Sequence, residues 1–413
     1  MISVPEARSF VLGSCRPLPP ERLPVEKALG LVLAEAVQAD EAVPPFDNSA
    51  MDGYALRATD TQEGTARLRV VGTLMAGNDP RGLFVGQGEA VRIMTGAPLP
   101  AGADAVCMVE HTQPDGDGFV GVQGRLSPGT NVRRAGDDIP AGSQVFPAGE
   151  QLGPAHIGVL ASIGASQVSA HRRPRVGIAS TGDELVASPG PLPPGKIRDS
   201  NRATLLAQVR SDGWEAIDLG WVGDDPDRLA EVLLRAAASC DALITSGGVS
   251  VGDRDIVRVV LGRLGGEGAR TMQVAVKPAK PFAFSTLPPG GTPAFGLPGN
   301  PVSALVSYEL FARPALRLMA GHRDLDRPRL RAIAEADLLR PRDGRLYLVR
   351  VVATLSADGE LRVRPLDGQG SHQLRAMAGA NALAVLPDGE GRRAGEPVEV
   401  IVLDHDALAS AHK

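Results

Sequence analysis

Hydrophobic positions recur with different spacing in successive parts of the chain, and each spacing predicts a different structure. Apolar residues in 3–40 follow helix-like spacing. From 44 to about 148, short β-rich runs alternate with clusters of Gly, Pro and Asp, as they do in hairpins. A short helical stretch at 153–163 returns the chain to its first region, so we predict that this first domain is discontinuous.

The segment from 174 to about 320 alternates strands with helices. This alternation predicts a parallel, doubly wound α/β sheet, and ligands of such sheets bind outside the carboxyl ends of the strands. Gly-rich loops at 181–183 and 247–252 follow two of the strands and are expected at that edge. After Pro328 the pattern is β-rich again, which predicts a small C-terminal barrel or sandwich.

The composition disfavours several classes of protein. A net charge of −5 and an aromatic content of 3% give no support for nucleic-acid binding. No apolar run reaches the roughly 18–20 residues of a membrane span, and the start lacks the features of a signal peptide. Cys15, Cys107 and Cys240 lack CxxC spacing, which argues against a disulfide framework or a zinc site. We therefore expect a cytoplasmic enzyme that binds neither nucleic acid nor membrane.

The segment KPAKP (277–281) stands out because lysine is rare in this chain. Of 43 basic residues, the lysines are only Lys27, Lys196, Lys277, Lys280 and Lys413. Proline after Lys277 and Lys280 predicts polyproline II backbone, in which residues three apart project from the same side. Two ammonium groups so close repel each other unless an anion lies between them, and lysine suits a compact oxyanion. The alternative, two solvated surface lysines, fits the scarcity of lysine poorly.

The segment SGGVSVGDRD (246–255) combines an anion loop with carboxylates. Gly247, Gly248 and Gly252 let the backbone approach a ligand closely. Asp253 and Asp255 follow, and their charge would repel a bare phosphate, so we expect Mg²⁺ as a third component. The alternative is a tight turn with an aspartate helix cap.

Two further loops of the α/β segment carry candidate carboxylates. Glu184 in STGDEL is expected at the ligand-binding edge of the sheet. The alternative, a glutamate in the first turn of a helix that is stabilised by the helix dipole, explains the residue equally well. In GDDPDRL, Asp225 is a good N-cap with Pro226 at the first helical position, which makes Asp224 the better functional candidate.

The string LPGNPVSA predicts a helix start with Asn300 as N-cap and Pro301 at the first helical position. Ser303 in that first turn would complete an oxyanion site, although the arrangement alone is a common cap.

The string PPFDNSAMDGYALR (44–57) concentrates Asp47, Asn48, Ser49 and Asp52 in one loop, for which an Asx-turn is the structural alternative. Thr95 lies in a Gly/Pro loop that says little by itself.

Together these strings, in this order, resemble the molybdopterin molybdenumtransferases of the MoeA and gephyrin E-domain type. The resemblance runs over essentially the whole chain. Molybdopterin adenylyltransferases and CinA-like proteins share the α/β domain alone, whereas NSAMDGYA and the C-terminal module point to the transferase. The resemblance to the transferases implies an elongated homodimer with an active site at the subunit interface. Asp52 and Thr95 of one subunit are expected there to face the α/β domain of the other.

The resemblance also implies four domains and a set of site residues. The domains are a helical linking domain at 1–43 and 142–172, a β-rich domain at 44–141, an α/β domain at 173–321 and a C-terminal β-barrel at 322–413. Asp52, Asp224 and Asp255 are expected to be catalytic, Asp224 and Asp255 to hold Mg²⁺, and Lys277, Lys280, Ser303 and Arg350 to hold molybdate. The other expected substrate contacts are Thr95, Ser180, Glu184, Gly247, Gly248, Ser250, Pro298 and Asn300. A family serine is replaced by Ala376, and Ser371 is a possible substitute.

The implied reaction inserts molybdenum into adenylylated molybdopterin and releases AMP. An adenylyltransferase is expected upstream and molybdoenzymes downstream. Three alternatives stay open: adenylyl transfer from ATP, a non-catalytic gephyrin-like dimeric scaffold, and CinA-like pyrophosphatase chemistry.

Overall fold

Contacts divide the chain into two units in the computed structural model, which describes residues 1–186, 189–249, 255–404 and 408. The first unit consists of Met1–Glu21, Gly30–Val32 and His171–Lys413. The second consists of Arg22–Leu29 and Leu33–Ala170. No helix in the described part of the chain is long and apolar enough to cross a membrane.

Several helices begin where the sequence places a capping residue. Ser3 accepts a hydrogen bond from the Glu6 amide, and Asp225 accepts from the first-turn amides of its helix, as predicted. The helices are α1 (Val4–Gly13), α2 (Pro154–Ser162), α3 (Ser200–Ser211), α4 (Pro226–Ala237), α5 (Ile256–Gly265), α6 (Pro301–Ser307), α7 (Arg313–Met319) and α8 (Leu374–Ala378). A π-helical turn, Tyr308–Ala312, continues α6 into α7.

The helical prediction for 3–40 is wrong beyond the first helix. After α1 the chain forms the strand Pro20–Pro24, a 3-10 helical turn at Val25–Lys27 and then short extended segments. The physical reason is the run RPLPPERLP, since each proline lacks an N–H and biases the residue before it toward extended backbone.

The first part of the chain, up to His171, is rich in short strands. A six-stranded sheet has the order β8-β5-β7-β6-β10-β9, a three-stranded sheet the order β1-β13-β2, and two-stranded pairs join β11 to β4 and β12 to β3. The strands are β1 (Pro20–Pro24), β2 (Val32–Leu33), β3 (Val37–Gln38), β4 (Asn48–Ser49), β5 (Gly53–Leu56), β6 (Thr65–Leu74), β7 (Glu89–Ile93), β8 (Ala105–Met108), β9 (Thr112–Pro114), β10 (Phe119–Gln123), β11 (Val132–Arg133), β12 (Gln144–Phe146) and β13 (Gln167–His171).

The predicted doubly wound sheet is confirmed, with an antiparallel edge that the sequence pattern did not indicate. Its order is β17-β14-β18-β22-β21-β19, in which the first four strands are parallel and the last two antiparallel. The strands are β14 (Arg175–Thr181), β15 (Leu185–Val186), β16 (Ile197–Arg198), β17 (Glu215–Val222), β18 (Ala242–Ser246), β19 (Arg270–Gln273), β20 (Val276–Lys277), β21 (Pro281–Leu287) and β22 (Thr292–Leu297).

Alternate residues of the sheet enter two different cores. Ile244 lies in one hydrophobic cluster and its neighbour Leu243 in another, and both side chains are fully buried. Full burial of such a side chain stabilises the fold by roughly 1.5–3 kcal/mol. The sheet is therefore covered on both faces, which leaves its strand ends and edges for ligands.

The predicted C-terminal barrel is confirmed. Five strands close in the order β25-β26-β23-β29-β27, with β27 pairing back onto β25. The strands are β23 (Arg329–Ala334), β24 (Leu338–Leu339), β25 (Leu346–Leu355), β26 (Leu361–Pro365), β27 (Ala382–Leu386), β28 (Gly391–Arg392) and β29 (Pro397–Val402). The strand β20 pairs in parallel with β25, so Lys277 lies beside Tyr347.

Candidate functional site

A cavity of about 360 Å³ lies at the carboxyl ends of strands β14 and β18, where the sequence predicts ligand binding. We call it the loop cavity. Gly247 has a φ of 100°, and a Cβ there would lie 2.5 Å from the Thr181 carbonyl oxygen, so this position requires glycine. The loop cavity is lined by Ser180, Thr181, Glu184, Leu185, Ile197, Arg198, Asp199, Ser200, Asn201, Ser246, Gly247, Gly299, Asn300, Pro301 and His372.

The start of helix α3 ties together the loops around this cavity. Asp199 accepts a hydrogen bond from the Ser180 hydroxyl over 2.9 Å and from the Arg202 amide over 3.1 Å. Asn201 Nδ2 donates to Ser246 Oγ and to the Gly299 carbonyl oxygen, both over 2.7 Å. Asp199 and Asn201 are not predicted from the sequence, because these contacts join residues up to 98 positions apart.

Asp224 is an exposed residue in the loop after β17, with its amide donating to Asp183 Oδ1 over 3.0 Å. Its neighbour Asp225 caps α4, as predicted, by accepting from the Asp227 and Arg228 amides. Capping therefore occupies Asp225 and leaves Asp224 for another role.

Asp255 is 4% exposed and occupies the N-cap position of α5. This position agrees with the alternative of a turn with an aspartate cap, although its side chain makes no capping hydrogen bond to that helix in the described structure. Ser250 and Asp253 lie outside the described residues. Among the residues that are described, no three His, Cys, Asp or Glu side chains form a cluster that could hold a metal ion.

A second cavity, of about 510 Å³, contains the predicted lysines, and we call it the cationic cavity. Lys277 and Lys280 both line it, together with Ser303 at the start of α6. The cavity is lined by Val276, Lys277, Pro278, Ala279, Lys280, Pro281, Asn300, Ser303, Arg345, Gln369, Gly370 and Ser371.

The backbone that presents the two lysines differs from the prediction. The Lys277–Pro278 bond is cis, and Ala279 has a φ of 86°. The expected polyproline II conformation is therefore wrong, because the buried Ala279 between the lysines adopts the left-handed region. Both lysines still reach one cavity.

Barrel residues add a further cation and an aromatic wall. The Lys277 ammonium lies 4.9 Å from the centre of the Tyr347 ring, within the range of a cation–π interaction. Arg345 lines the cationic cavity and pairs with Asp343, whose pKa it lowers to about 2 through a side-chain hydrogen bond. The resemblance pointed to Arg350 and not to Arg345, which precedes strand β25.

Arg350 has a fully buried side chain that contacts the loop at 366–373. Its Nη2 donates to the carbonyl oxygens of Gly368 over 2.7 Å and Gly370 over 3.2 Å. Burial lowers the pKa of its guanidinium. Arg350 lines neither the loop cavity nor the cationic cavity in the described structure, and its hydrogen bonds go to the loop.

The two cavities share Asn300. Asn300 occupies the predicted N-cap position of α6, with Pro301 as the first helical residue and Ser303 in the first turn. Its side chain makes no capping hydrogen bond in the described structure. The Val302 amide donates to the Ser371 carbonyl oxygen over 3.0 Å, which attaches the 366–373 loop to the start of this helix.

Pro298, another predicted contact, accepts a hydrogen bond from Ser246 Oγ on its carbonyl oxygen over 3.5 Å. Gly248 has a φ of 61°, and a Cβ there would approach Val257 to 3.1 Å. Both residues therefore shape the strand-end loops through their backbone.

In the second unit, the strings that carry Asp52 and Thr95 lie side by side. Asp52 and Thr95 are both exposed, and the Thr95 amide and hydroxyl donate to Asp52. Ser49 and Asn48 are buried and bond locally to the carbonyl oxygens of Met51 and Phe46, so they support the turn. Backbone hydrogen bonds of Asp47 and Ser49 also join this string to the Thr95 loop, and the Asp52 side chain is the one that binds Thr95 itself.

A glycine-rich cleft that meets a cationic pocket, on a doubly wound sheet, is typical of an enzyme with anionic substrates. Three family models match the chain and narrow this class. They are the MoeA N-terminal region (domain I and II) over residues 2–164, the probable molybdopterin binding domain over 177–318, and the MoeA C-terminal region (domain IV) over 331–403.

Individual relatives match over nearly the full length. The chain is 37% identical to the molybdopterin molybdenumtransferase of Haemophilus influenzae, over 98% of this chain and 99% of that protein. It is 40% identical to molybdopterin molybdenumtransferase 2 of Mycobacterium tuberculosis, over 94% of this chain and 96% of that protein. The crystal structure of the molybdopterin biosynthesis MoeA protein from Pyrococcus horikosii matches with a TM-score of 0.82 and 31% identity, covering 98% of this chain and 99% of that one. The chain belongs to the molybdopterin molybdenumtransferase family.

Proposed function

We propose that this protein inserts molybdenum into adenylylated molybdopterin, using molybdate and releasing AMP. The observation that carries the proposal is that the cationic cavity and the loop cavity share Asn300. One cavity is suited to a tetrahedral oxyanion and the other to a phosphoanhydride, so the two reactants would lie next to each other.

The cationic cavity is the proposed molybdate site. Lys277 and Lys280 supply positive charge, Arg345 adds a guanidinium that is paired with Asp343, and Ser303 adds a buried hydroxyl in the first turn of α6. Cations and helix-end N–H groups bind oxyanions in this way. Arg350 supports the site by hydrogen-bonding to the loop that carries Ser371. Ser371 lines the cationic cavity, and in this chain Ala376 stands in place of the family serine.

The loop cavity is the proposed site for the phosphoanhydride and the nucleotide. Gly247 brings the backbone close to the ligand, while the Asp199 and Asn201 side chains fix the surrounding loops. Bringing both reactants into contact reduces the entropic part of the barrier to the transfer step. The dithiolene sulfurs that receive the metal belong to the substrate.

Asp224 and Asp255 are the proposed holders of Mg²⁺. Magnesium typically takes one or two protein carboxylates and completes its octahedron with water and substrate phosphates. Asp224 is exposed in the loop after β17, and Asp225 rather than Asp224 caps α4, so capping does not use the Asp224 carboxylate. When bound, the ion would offset the negative charge of the phosphates.

Asp52 and Thr95 complete the proposed site from a second subunit. We infer a homodimer in which the β-rich domain of one subunit faces the α/β domain of its partner, and a cytoplasmic location between an adenylyltransferase upstream and molybdoenzymes downstream. Support for a role of Asp52 in chemistry comes from its exposure and from the bonds that keep it ionised.

The test is to incubate the protein with adenylylated molybdopterin, Mg²⁺ and molybdate and to follow AMP. We expect AMP release that depends on molybdate and that falls in Asp52→Ala, Asp255→Ala and Lys277→Ala variants. Pyrophosphate formed from ATP would instead identify an adenylyltransferase. Full activity of all three variants in a cofactor-deficient strain would favour a scaffold.

A further inference from the structure

We propose that His372 binds the phosphate chain of the nucleotide in the loop cavity. This inference rests on the proposed function and assigns a new contact in the same site. His372 comes from the C-terminal part of the chain, yet it lines the loop cavity together with strand-end residues of the α/β sheet.

His372 and its neighbour Ser371 are divided between the two cavities. Ser371 lines the cationic cavity, and His372 lines the loop cavity. One short loop therefore places a hydroxyl beside the proposed oxyanion and an imidazole beside the proposed phosphates. Because adjacent residues reach both ligands, the loop is placed to set the distance between them.

The loop is held on several sides, so the position of the imidazole is defined. Arg350 binds the carbonyl oxygens of Gly368 and Gly370 from behind, and the Gly370 amide donates to Gln373 Oε1 over 2.6 Å. A Cβ on Gly370 would lie 2.9 Å from Cε1 of His372, so the ring rests against this glycine. The glycine thereby leaves room for the ring at the cavity wall.

The charges that face His372 make a hydrogen-bond donor necessary there. Glu184 and Asp199 are the carboxylates that line the loop cavity, and Arg198 is the cation. Asp199 already binds Ser180 and Arg202, and Arg198 donates to the Gly190 carbonyl oxygen. A phosphate group that enters beside Glu184 needs further donors, and an imidazole N–H supplies one, more strongly when protonated.

The experiment measures binding of AMP to the full-length protein by calorimetry in the presence of Mg²⁺. We expect His372→Ala to weaken AMP binding about tenfold, the size of one hydrogen bond to a charged group. Arg375→Ala is the matched control, since Arg375 is exposed nearby on α8 and does not line the loop cavity of the described structure.

Binding of molybdate is the complementary measurement, because it should depend on Ser371 and not on His372. His372→Ala should bind molybdate as the wild type does, whereas Ser371→Ala should weaken molybdate binding and leave AMP binding unchanged. Unaltered AMP affinity in His372→Ala would overturn the inference, as would a wild type that does not bind AMP. If the histidine effect on AMP is present but the wild type shows no molybdate-dependent AMP release, the proposed reaction fails while the histidine contact stands.

Discussion

The backbone amide and the hydroxyl group of Thr95 both donate to Oδ1 of Asp52, each over 2.7 Å. The amide is the larger cause of a lowered pKa at Asp52 and the hydroxyl the second, with a further contribution from the charge of Arg92. Residues from two separate sequence motifs therefore keep one exposed carboxylate ionised. The two motifs therefore act on the same carboxylate, that of Asp52.

Removing the hydroxyl should change the pH dependence of the reaction. In Thr95→Val the amide bond remains, so the pKa of Asp52 should rise part of the way to its ordinary value. Because the carboxylate is charged above its pKa, the acid limb of the pH–rate profile should move to higher pH. The stabilisation from these bonds is likewise present above the ordinary pKa of aspartate and is lost as the pH falls through the lowered one. Thr59→Val, at an exposed threonine of the same unit, should leave the profile in place.

The two lysines of the cationic cavity should act on molybdate rather than on the nucleotide. Lys277→Ala and Lys280→Ala should each raise the KM for molybdate by about 10- to 100-fold, the range expected for losing a charged hydrogen bond. Lys27→Ala, at an exposed lysine of the second unit, is the control. Equal KM values for molybdate in all three variants would exclude the pocket as the oxyanion site. Initial rates at varied molybdate provide the measurement.

Gly53 is required by close packing between two strands. A Cβ at this position would lie 1.9 Å from the Cys107 carbonyl oxygen, so Gly53→Ala forces the β5 and β8 strands apart. We expect a loss of about 1–3 kcal/mol in the free energy of unfolding, measured by denaturant titration. Gly121→Ala in the same sheet should change it by less than about 0.5 kcal/mol, because its Cβ would meet its nearest atom at 3.6 Å. Similar unfolding curves for both variants would contradict this account of the motif glycine.

Arg350 should affect both substrates through one loop. Arg350→Met removes the hydrogen bonds to Gly368 and Gly370 and should lower the free energy of unfolding by about 1–3 kcal/mol. Since the loop carries Ser371 and His372, the KM values for molybdate and for adenylylated molybdopterin should rise together. Arg364→Ala, at an exposed arginine of the adjacent strand β26, should change neither quantity. A rise confined to molybdate would indicate a direct contact instead.

The sequence was informative where a property is local. The Asp225 cap, the Asn300–Pro301 helix start and the glycine turn at Gly247 all depend on residues close in sequence, and each lies where the pattern predicts. The two lysines do line one cavity, but the polyproline II backbone predicted for them is wrong. The conformation of the buried Ala279 depends on tertiary packing, which a local sequence pattern does not show.

Site residues that depend on distant contacts were missed. Asp199 and Asn201 have their role because α3 starts between two strand-end loops, and a lone Asp or Asn before a helix carries no such signal. Arg345 and His372 enter the cavities only because the barrel packs beside β20 and α6. No local sequence pattern in the last domain distinguishes these residues from its other polar residues.

Anomalous diffraction from crystals soaked with molybdate would locate the bound oxyanion. We expect a molybdenum peak between the Lys277 and Lys280 ammonium groups and the Ser303 hydroxyl, next to Asn300. A peak elsewhere, with these side chains in contact with water alone at saturating molybdate, would contradict it.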